Sequence, residues 1–366
     1  GMNATQARRA FETMAGSVHA SASQVAQALG RNFSQMLQAR GGEEPAAEQV
    51  VTSAGFSATV HGARERAGVD ARARKGLGLA QGDSPAAQGL WAQAIGGGGR
   101  SEGDGNGGDL RYSAGGLIAG FDHALDNDTM LGAALGRTRS HWSSSGTTGA
   151  LGSGAVTSYQ AGAYARFNTG AWKFVADGTY GLHRFTTHRT VDLGAGVQTA
   201  SSGHRAREWA LGLQAEYAPD ALKPGQWQLR PVGGLRHARF TEDAFDESGA
   251  GAANLTVSQR RNRSTTVQAG AKWLHAFSDG KGEVQLQAMF SHLWGDNDAP
   301  VTARMAGQAA TFTASGTPLP RDALTLGAAI SRQVSPTLGF YANAALEYRG
   351  SGHNAYSLVA GLRKKW

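Results

Sequence analysis

From residue 89 onward the chain returns again and again to one pattern, a strict alternation of apolar and polar residues sustained over unusually long runs. In REWALGLQAEYA, Trp209, Leu211, Leu213, Ala215 and Tyr217 share one face, opposite Glu208, Ala210, Gly212, Gln214 and Glu216. TLGFYANAALEYR repeats the design, setting Phe340 and Leu346 against Tyr341, Glu347 and Arg349, and AWKFVADGTYGL sets Trp172, Phe174 and Tyr180 against Lys173 and Asp177. A period of two belongs to a strand, because successive side chains leave a pleated backbone on opposite sides. About twelve such segments fall near 89–100, 110–126, 129–143, 154–168, 171–190, 203–219, 226–242, 260–278, 282–295, 320–334, 336–349 and 353–366. Many run to about 14 residues or more, where strands of ordinary sheets have about 5–6.

The connections are sorted. Tight-turn residues close Asp126-Asn127-Asp128, Asn168-Thr169-Gly170, Ser278 to Lys281 and Val334-Ser335-Pro336, with a somewhat longer turn from Pro219 to Gly225. Between them come the polar stretches GRSEGDGNGGD, SSSGTTGALGSG, VDLGAGVQTASSG, EDAFDESGAGAANLTVSQ and the run from Gly295 to about Leu319, which read as long loops; RGSGHN alone is short. Short and long in alternation are what an even-stranded up-and-down barrel needs, with tight turns on the periplasmic side and long loops outside. The pattern therefore predicts an all-β, transmembrane antiparallel β-barrel of about twelve strands. A soluble β-sandwich is the alternative, since its inward faces alternate too, but it has no reason to sort its connections.

Composition excludes several other classes. Hydrophobic residues make up 40% of the chain, and no apolar stretch approaches the length of a spanning helix, about 20 residues. That rules out a helical membrane protein but not a barrel, whose polar inner face dilutes the average. With no cysteine there are no disulfides, thiol nucleophiles or thiolate metal sites. The formal charge is +7, yet the basic residues are spread along the chain without a recognition motif, so no nucleic acid is expected as a partner.

The first forty residues follow a different period. Phe11, Met14, Val18, Val25, Leu29, Phe33, Met36 and Leu37 recur at three- and four-residue steps, and Gly41-Gly42 ends the run, which predicts an amphipathic helix over 1–40. Residues 41–87 read as a connector, broken at Glu43-Glu44-Pro45 and Asp83-Ser84-Pro85, and 88–366 as the barrel. GMNATQ has no signal-peptide character, and the Gly before Met reads as a tag-removal scar, so the expectation is a piece of something longer.

The last strand closes on AYSLVAGLRKKW, whose Tyr356, Leu358, Ala360, Leu362, Lys364 and Trp366 share a face. Run inward from the long-loop side, it brings Trp366 to the periplasmic interface, where aromatic side chains are favoured, and Lys364 close enough to snorkel.

GLWAQAIGGGGRSEGDGN, followed by LRYSAGGLIAGFDHALDNDTMLGAALGRTRS, resembles the opening strands of the translocator β-domain of classical autotransporters, the type V secretion proteins; the marks are Trp91 with its glycine run, Gly115-Gly116 with Gly120, and the aromatic terminus. RRAFETMAGSVHASASQVAQAL resembles the passenger-proximal segment that precedes such domains. The resemblance implies a twelve-stranded barrel in a Gram-negative outer membrane with a helix through its pore. It also implies periplasmic chaperones and the barrel-assembly machinery as partners, the latter reading the terminal strand at Tyr356, Leu358, Leu362 and Trp366. An exported N-terminal passenger, absent from this sequence, would carry any enzymatic activity, such as that of a protease. Some members cleave the passenger at an Asn-Asn pair in the pore helix, and this sequence contains none.

Within that frame Trp209, Leu211, Leu213, Tyr217, Phe340 and Leu346 are expected to face outer-membrane lipid and lipopolysaccharide. Lys173, Asp177, Glu208, Glu216, Lys272, Glu347, Arg349 and Arg363 are expected to face the lumen, their mixed signs suited to a charged helix. Either residues 3–40 or the basic stretch 61–75 could fill the pore. No catalytic, cofactor or metal residue is assigned. An outer-membrane enzyme or adhesin acting through its loops is the competing function; His183 or His188 with Asp192 is its nearest constellation, against the plainer reading of polar rim residues. GRSEGDGNGGD lacks the spacing of a calcium loop, and GGGGR lacks the following helix of a phosphate cradle; its glycines are expected to pack against a lumenal helix.

Overall fold

The computed structural model describes residues 2–42, 55–58, 88–105, 107–194, 196–223, 227–279, 281–335, 338–350 and 352–364. Twelve long strands form the wall: β1 Gln88–Ser101, β2 Asp109–Ala124, β3 Thr129–Gly146, β4 Gly149–Thr169, β5 Trp172–Asp192 and β6 Val197–Tyr217, then β7 Trp227–Glu242, β8 Arg260–Ala276, β9 Gly282–Gly295, β10 Asp322–Ser335, β11 Leu338–Tyr348 and β12 Asn354–Lys364. Each pairs antiparallel with its sequence neighbours, and β1 pairs with both β2 and β12, so the sheet closes on itself. No helix among the described residues is long and apolar enough to cross a membrane, a statement that bears on helices only.

Two stretches expected as long loops prove to be ladder. β3 continues to Gly146 and pairs with Gly149 across a turn at Thr147 and Thr148, and β5 and β6 pair without a break from Trp172 opposite Tyr217 to Asp192 opposite Val197. The reason is packing. Beyond the apolar band these polar strands still bury one side, with Val191 and Ala200 gathered against Ala250 and Ala253 of the following loop. That loop and the one after β9 supply four short strands, Phe245–Asp246, Leu255–Val257, Val301–Met305 and Thr311–Ala314, which form a small second sheet at the long-loop end.

The expected single helix is two. α1, Ala4–Met14, starts from an Asn3 capping box with Gln6, and α2 runs Ser17–Gly42. Between them Gly16 holds φ +74°, where an L side chain is strained, and a Cβ there would stand 2.7 Å from Leu255 Cδ1. At about 1.5 Å per residue α2 is about 39 Å long, enough to run the height of the wall. Ala20 near its start lies with Phe245, Leu255 and Val301 of the small sheet, while Arg40 near its end pairs with Asp122 beside the first short turn. α2 therefore enters at the long-loop end and leaves at the short-turn end, where β1 begins with Gln88 opposite His123. The chain connecting them starts and finishes at one end of the barrel.

The closing seam is the least paired part of the ring. β12 meets β1 in three residue pairs, Asn354 with Arg100, Ala355 with Gly99 and Tyr356 with Gly98, and Gly55–Ala58 pairs with β1 lower down, from Ala92 to Ile95. Local opening free energies follow the density of such pairing. Amides of Gly98–Arg100 and Asn354–Tyr356 are expected to exchange hydrogen faster than those of β5 and β6, and equal protection by mass spectrometry would contradict this.

Candidate functional site

The lumen is filled by α2, which meets the wall in two apolar layers. Near the short-turn end Phe33, Met36 and Leu37 pack with Ile118, Met130, Ala134 and Tyr164. Phe33 and Leu37 are fully buried, and burying such side chains contributes about 1.5–3 kcal/mol each. Gly162 makes room, since a Cβ there would lie 2.5 Å from Leu37 Cδ1. Nearer the long loops Val18, Ala22, Val25, Ala26 and Leu29 face Trp142, Val156, Phe185, Ala206 and Phe240. The helical apolar stripe thus finds inward apolar wall residues at both heights, and a wet pore is not what surrounds it.

Polar contacts fix its rotation and height. Ser34 Oγ and Gln38 Nε2 donate to the two oxygens of Asp177 at 2.7 and 2.8 Å, and Gln160 Nε2 donates to the Leu29 carbonyl at 3.1 Å. Arg40 and the Tyr164 hydroxyl both donate to Asp122. Higher up, Ser23 Oγ donates to Glu242 at 2.5 Å, and the same carboxylate takes His204 Nε2 at 2.8 Å and Arg260 at 2.8–3.0 Å. His204 also stacks on Phe245, ring centroids 3.8 Å apart.

Glu247, in the loop after β7, caps the assembly outside the spanning wall. It holds His19 of α2 at 2.7 Å, Arg189 Nε at 2.9 Å and the Leu255 N–H at 2.8 Å. Burial alone would raise its pKa, but the hydrogen bonds and charges of Arg189 and His19 outweigh that and hold the carboxyl down, to about 2.

The sequence-assigned lumen residues sort into two groups. Asp177 binds the helix as above. Glu216 gathers Lys272 at 2.8 Å and Arg230 at 3.0 Å, with Lys173 directly across the ladder; Glu208 pairs with Arg236 at 2.7 Å, and Glu347 with Arg349 at 2.6 Å. The Glu216 and Glu208 clusters tie neighbouring strands together, and Glu347 pairs with Arg349 two residues along the chain. α2 meets the wall through its Ser23, Ser34 and Gln38 and also through Arg40 on Asp122 and His19 on Glu247, while Arg31 lines the small space beside Glu208 and Arg236. Arg363, Phe340, Leu358 and Leu362 are described in backbone only, Trp366 lies outside the described residues, and so does the stretch 61–75.

Of the two histidines weighed against a rim reading, His183 is buried in the lumen, as is His204, and His183 shares a 2.7 Å hydrogen bond with Ser158. His188 is exposed beside Ser201, while Asp192 pairs with Arg9 of α1 at 3.3 Å. The three do not converge. Strand parity puts His183 and His204 on the inward side with Glu208, a signal available in the sequence. Gly98 and Gly99, expected to lie under the helix, instead make room for Tyr112 on the neighbouring strand, from which a Cβ at either would stand 2.8 Å. Among the described residues no group of three or more His, Cys, Asp and Glu is gathered as a metal site.

The outer wall is an apolar band edged by aromatics. Trp209, Leu213 and Leu346 are exposed, Leu211 is 60% exposed, and Tyr356 stands exposed at the start of β12. Tyr217 packs against Trp172, centroids 4.6 Å apart, and with Phe167 and Trp227 marks the short-turn edge; Tyr159, Tyr180 and Trp209 mark the other. From Trp172 to Leu182 the rise is about 25 Å for strands at about 3.3 Å per residue tilted by about 40°.

Comparison with known proteins agrees with this geometry. The family model described as the autotransporter beta-domain matches residues 90–345. Two curated proteins named extracellular serine protease, both from Serratia marcescens, are 27% and 25% identical over 282 residues, covering 75% of this chain. The chain spans only 26% of the length of each. Among solved structures, the translocator domain of NalP from Neisseria meningitidis superposes with TM-score 0.60 at 18% identity, covering 80% of this chain and 92% of that one. The transport unit of AIDA-I from Escherichia coli gives 0.55 at 14% identity, covering 79% and 92%. At such identities the two structures bear on the fold alone.

Two outcomes follow from the lumen. Asp177→Ala leaves the Ser34 hydroxyl and Gln38 amide without their acceptor, at about 1–3 kcal/mol for each buried group, and hydrogen exchange over 33–40 is expected to quicken while that of β5 does not; unchanged exchange would contradict it. Because the Glu247 pKa is depressed from 4.5 to about 2, its contribution is complete above pH ~4.5 and lost as pH falls toward 2. Protection of the 17–24 amides, corrected for intrinsic rates, is expected to fall across that window and to fall less steeply in Glu247→Gln, where Glu242 on Ser23 remains; an unchanged profile in the variant would contradict it.

Proposed function

Since the chain belongs to the autotransporter β-domain family, and is thus an integral outer-membrane translocator domain of type V secretion, we propose that it exports and anchors a passenger joined ahead of α1. The observation that carries this is the direction of α2, whose N-terminal end lies among the long-loop strands and whose C-terminal end lies beside the first short turn. A segment preceding it would emerge on the outer face, held by the helix as by a stalk. The Serratia marcescens relatives are named as proteases, which favours a protease passenger here. Bond chemistry belongs to that passenger, and the barrel contributes insertion and a closed sheet.

The remaining parts take their roles from the same reading. Trp209, Leu211, Leu213, Tyr217, Phe340 and Leu346 face outer-membrane lipid, and Lys173, Glu208, Glu216, Lys272, Glu347, Arg349 and Arg363 brace the lumen while Asp177 holds the helix. Periplasmic chaperones deliver the chain, and the barrel-assembly machinery reads Tyr356, Leu358, Leu362 and Trp366 on a strand whose seam is lightly paired.

An epitope placed ahead of Asn3 is expected to bind antibody on intact cells; binding only after lysis would overturn the export reading. Leu211→Arg is expected to lower the unfolding free energy in lipid vesicles by about 2–4 kcal/mol, and a loss below about 0.5 kcal/mol, the scale of an ordinary surface substitution, would remove Leu211 from the lipid face.

A further inference from the structure

Above the apolar band, the outer wall between β3 and β6 carries an unopposed cluster of arginines. In one row across the ladder stand Arg139, Thr157, Arg184 and Arg205; in the next row toward the short turns stand Arg137, Tyr159, Leu182 and Arg207. Arg137 and Arg184 both lie over the Tyr159 ring, 5.9 and 5.6 Å from its centroid, so one aromatic holds two guanidinium groups side by side. β3 and β4 contain no Asp or Glu. On β5 and β6, Asp177, Glu208 and Glu216 are buried in the lumen and Asp192 is engaged by Arg9. Arg207 has Asp243 at 3.5 Å, but among the described residues Arg137, Arg139, Arg184 and Arg205 have no carboxylate within ion-pair distance.

Directly below the arginines lies an apolar groove of about 1090 Å³. Its floor is low because Ala161 and Gly178 carry little side chain, and its sides are raised by Phe121, Leu135, Tyr180, Trp209 and Leu211. The rows continue in register, with Leu135, Ala161, Tyr180 and Trp209 one step beneath Arg137 and Tyr159. Like charges crowded on an exposed wall repel one another, and planar guanidinium groups suit phosphate oxygens in bidentate pairs. A ligand with anionic oxygens at the top and a hydrocarbon chain below would satisfy both halves at once.

We propose that this face binds lipopolysaccharide, the phosphates of its lipid A headgroup lying on Arg137, Arg139, Arg184 and Arg205 and one acyl chain lying in the groove over Ala161 and Gly178. The inference rests on the outer-membrane reading, which puts the long-loop end of the wall in the outer leaflet. It adds that one sector of the barrel is a phosphoglycolipid site with a defined edge, where Arg207 turns away toward Asp243.

The test is native mass spectrometry of the purified full chain in a neutral detergent, with bisphosphorylated, multiply acylated lipid A as the probe. Lipid A without its phosphates and inorganic phosphate serve as separate arms. Phosphorylated lipid A is expected to bind at least about tenfold more tightly than the dephosphorylated form. Arg137→Gln with Arg184→Gln and Arg205→Gln is expected to remove that preference, and Ala161→Phe to weaken both lipids by filling the groove. Equal binding of the two lipids to the unaltered protein would overturn the proposal without any variant being needed. Displacement of lipid A by equimolar inorganic phosphate would make this a free-anion site and would overturn it too. Heat-modifiable mobility in SDS separates the two levels: a barrel that keeps it but ignores lipid phosphates defeats this inference alone, whereas its absence from the unaltered protein defeats the membrane reading beneath.

Discussion

A strand in a bilayer has no water to receive its backbone N–H and C=O groups, so every one must be met by another strand. The twelve-strand ring follows from that demand. It explains why β1 pairs with β12 as well as β2, and why alternation in this chain is so regular. One slip of register would send Leu211 into the lumen and Glu208 onto the outer wall, and the hydrophobic pattern therefore fixes the pairing as much as the turns do.

Closure creates a second demand, because a ring of this size encloses a space. Here the space is occupied by α2, and the wall supplies what a helix needs: apolar patches at Ile118 and Val156, an acceptor at Asp177 for hydroxyl and amide donors, and carboxylates at Glu242 and Glu247 at the outer end. Other charges of the lumen pair within the wall. Glu216 with Lys272 and Arg230 is such a brace, and buried pairs of this kind strongly penalise loss of one partner while adding little net stability. Helix position thus rests on packing and on hydrogen bonds and ion pairs to the carboxylates of Asp122, Asp177, Glu242 and Glu247, and wall rigidity on pairs between strands.

Much of this was legible in the sequence, and the reasons for the rest are physical. Period-two alternation located all twelve strands, because one face meets lipid or the outer apolar band and the other the lumen. Strand ends were less readable: polar, glycine-rich stretches such as 143–154 look like loops, yet continue as ladder because Leu151 and Trp142 are buried on one side. The break at Gly16 was hidden because it answers to Leu255, far along the chain. Glu242 and Glu247 were missed for the same reason, each being defined by a helix residue more than two hundred positions away. His183 was read as a rim residue although its parity pointed inward.

The most direct test of the account is conductance. In planar bilayers the intact chain is expected to pass little current, because α2 fills the barrel, while a chain lacking residues 1–42 is expected to open a stable pore of markedly larger conductance. Equal conductance of the two would mean that α2 does not occupy the lumen, and the account of how this barrel holds its helix would fail.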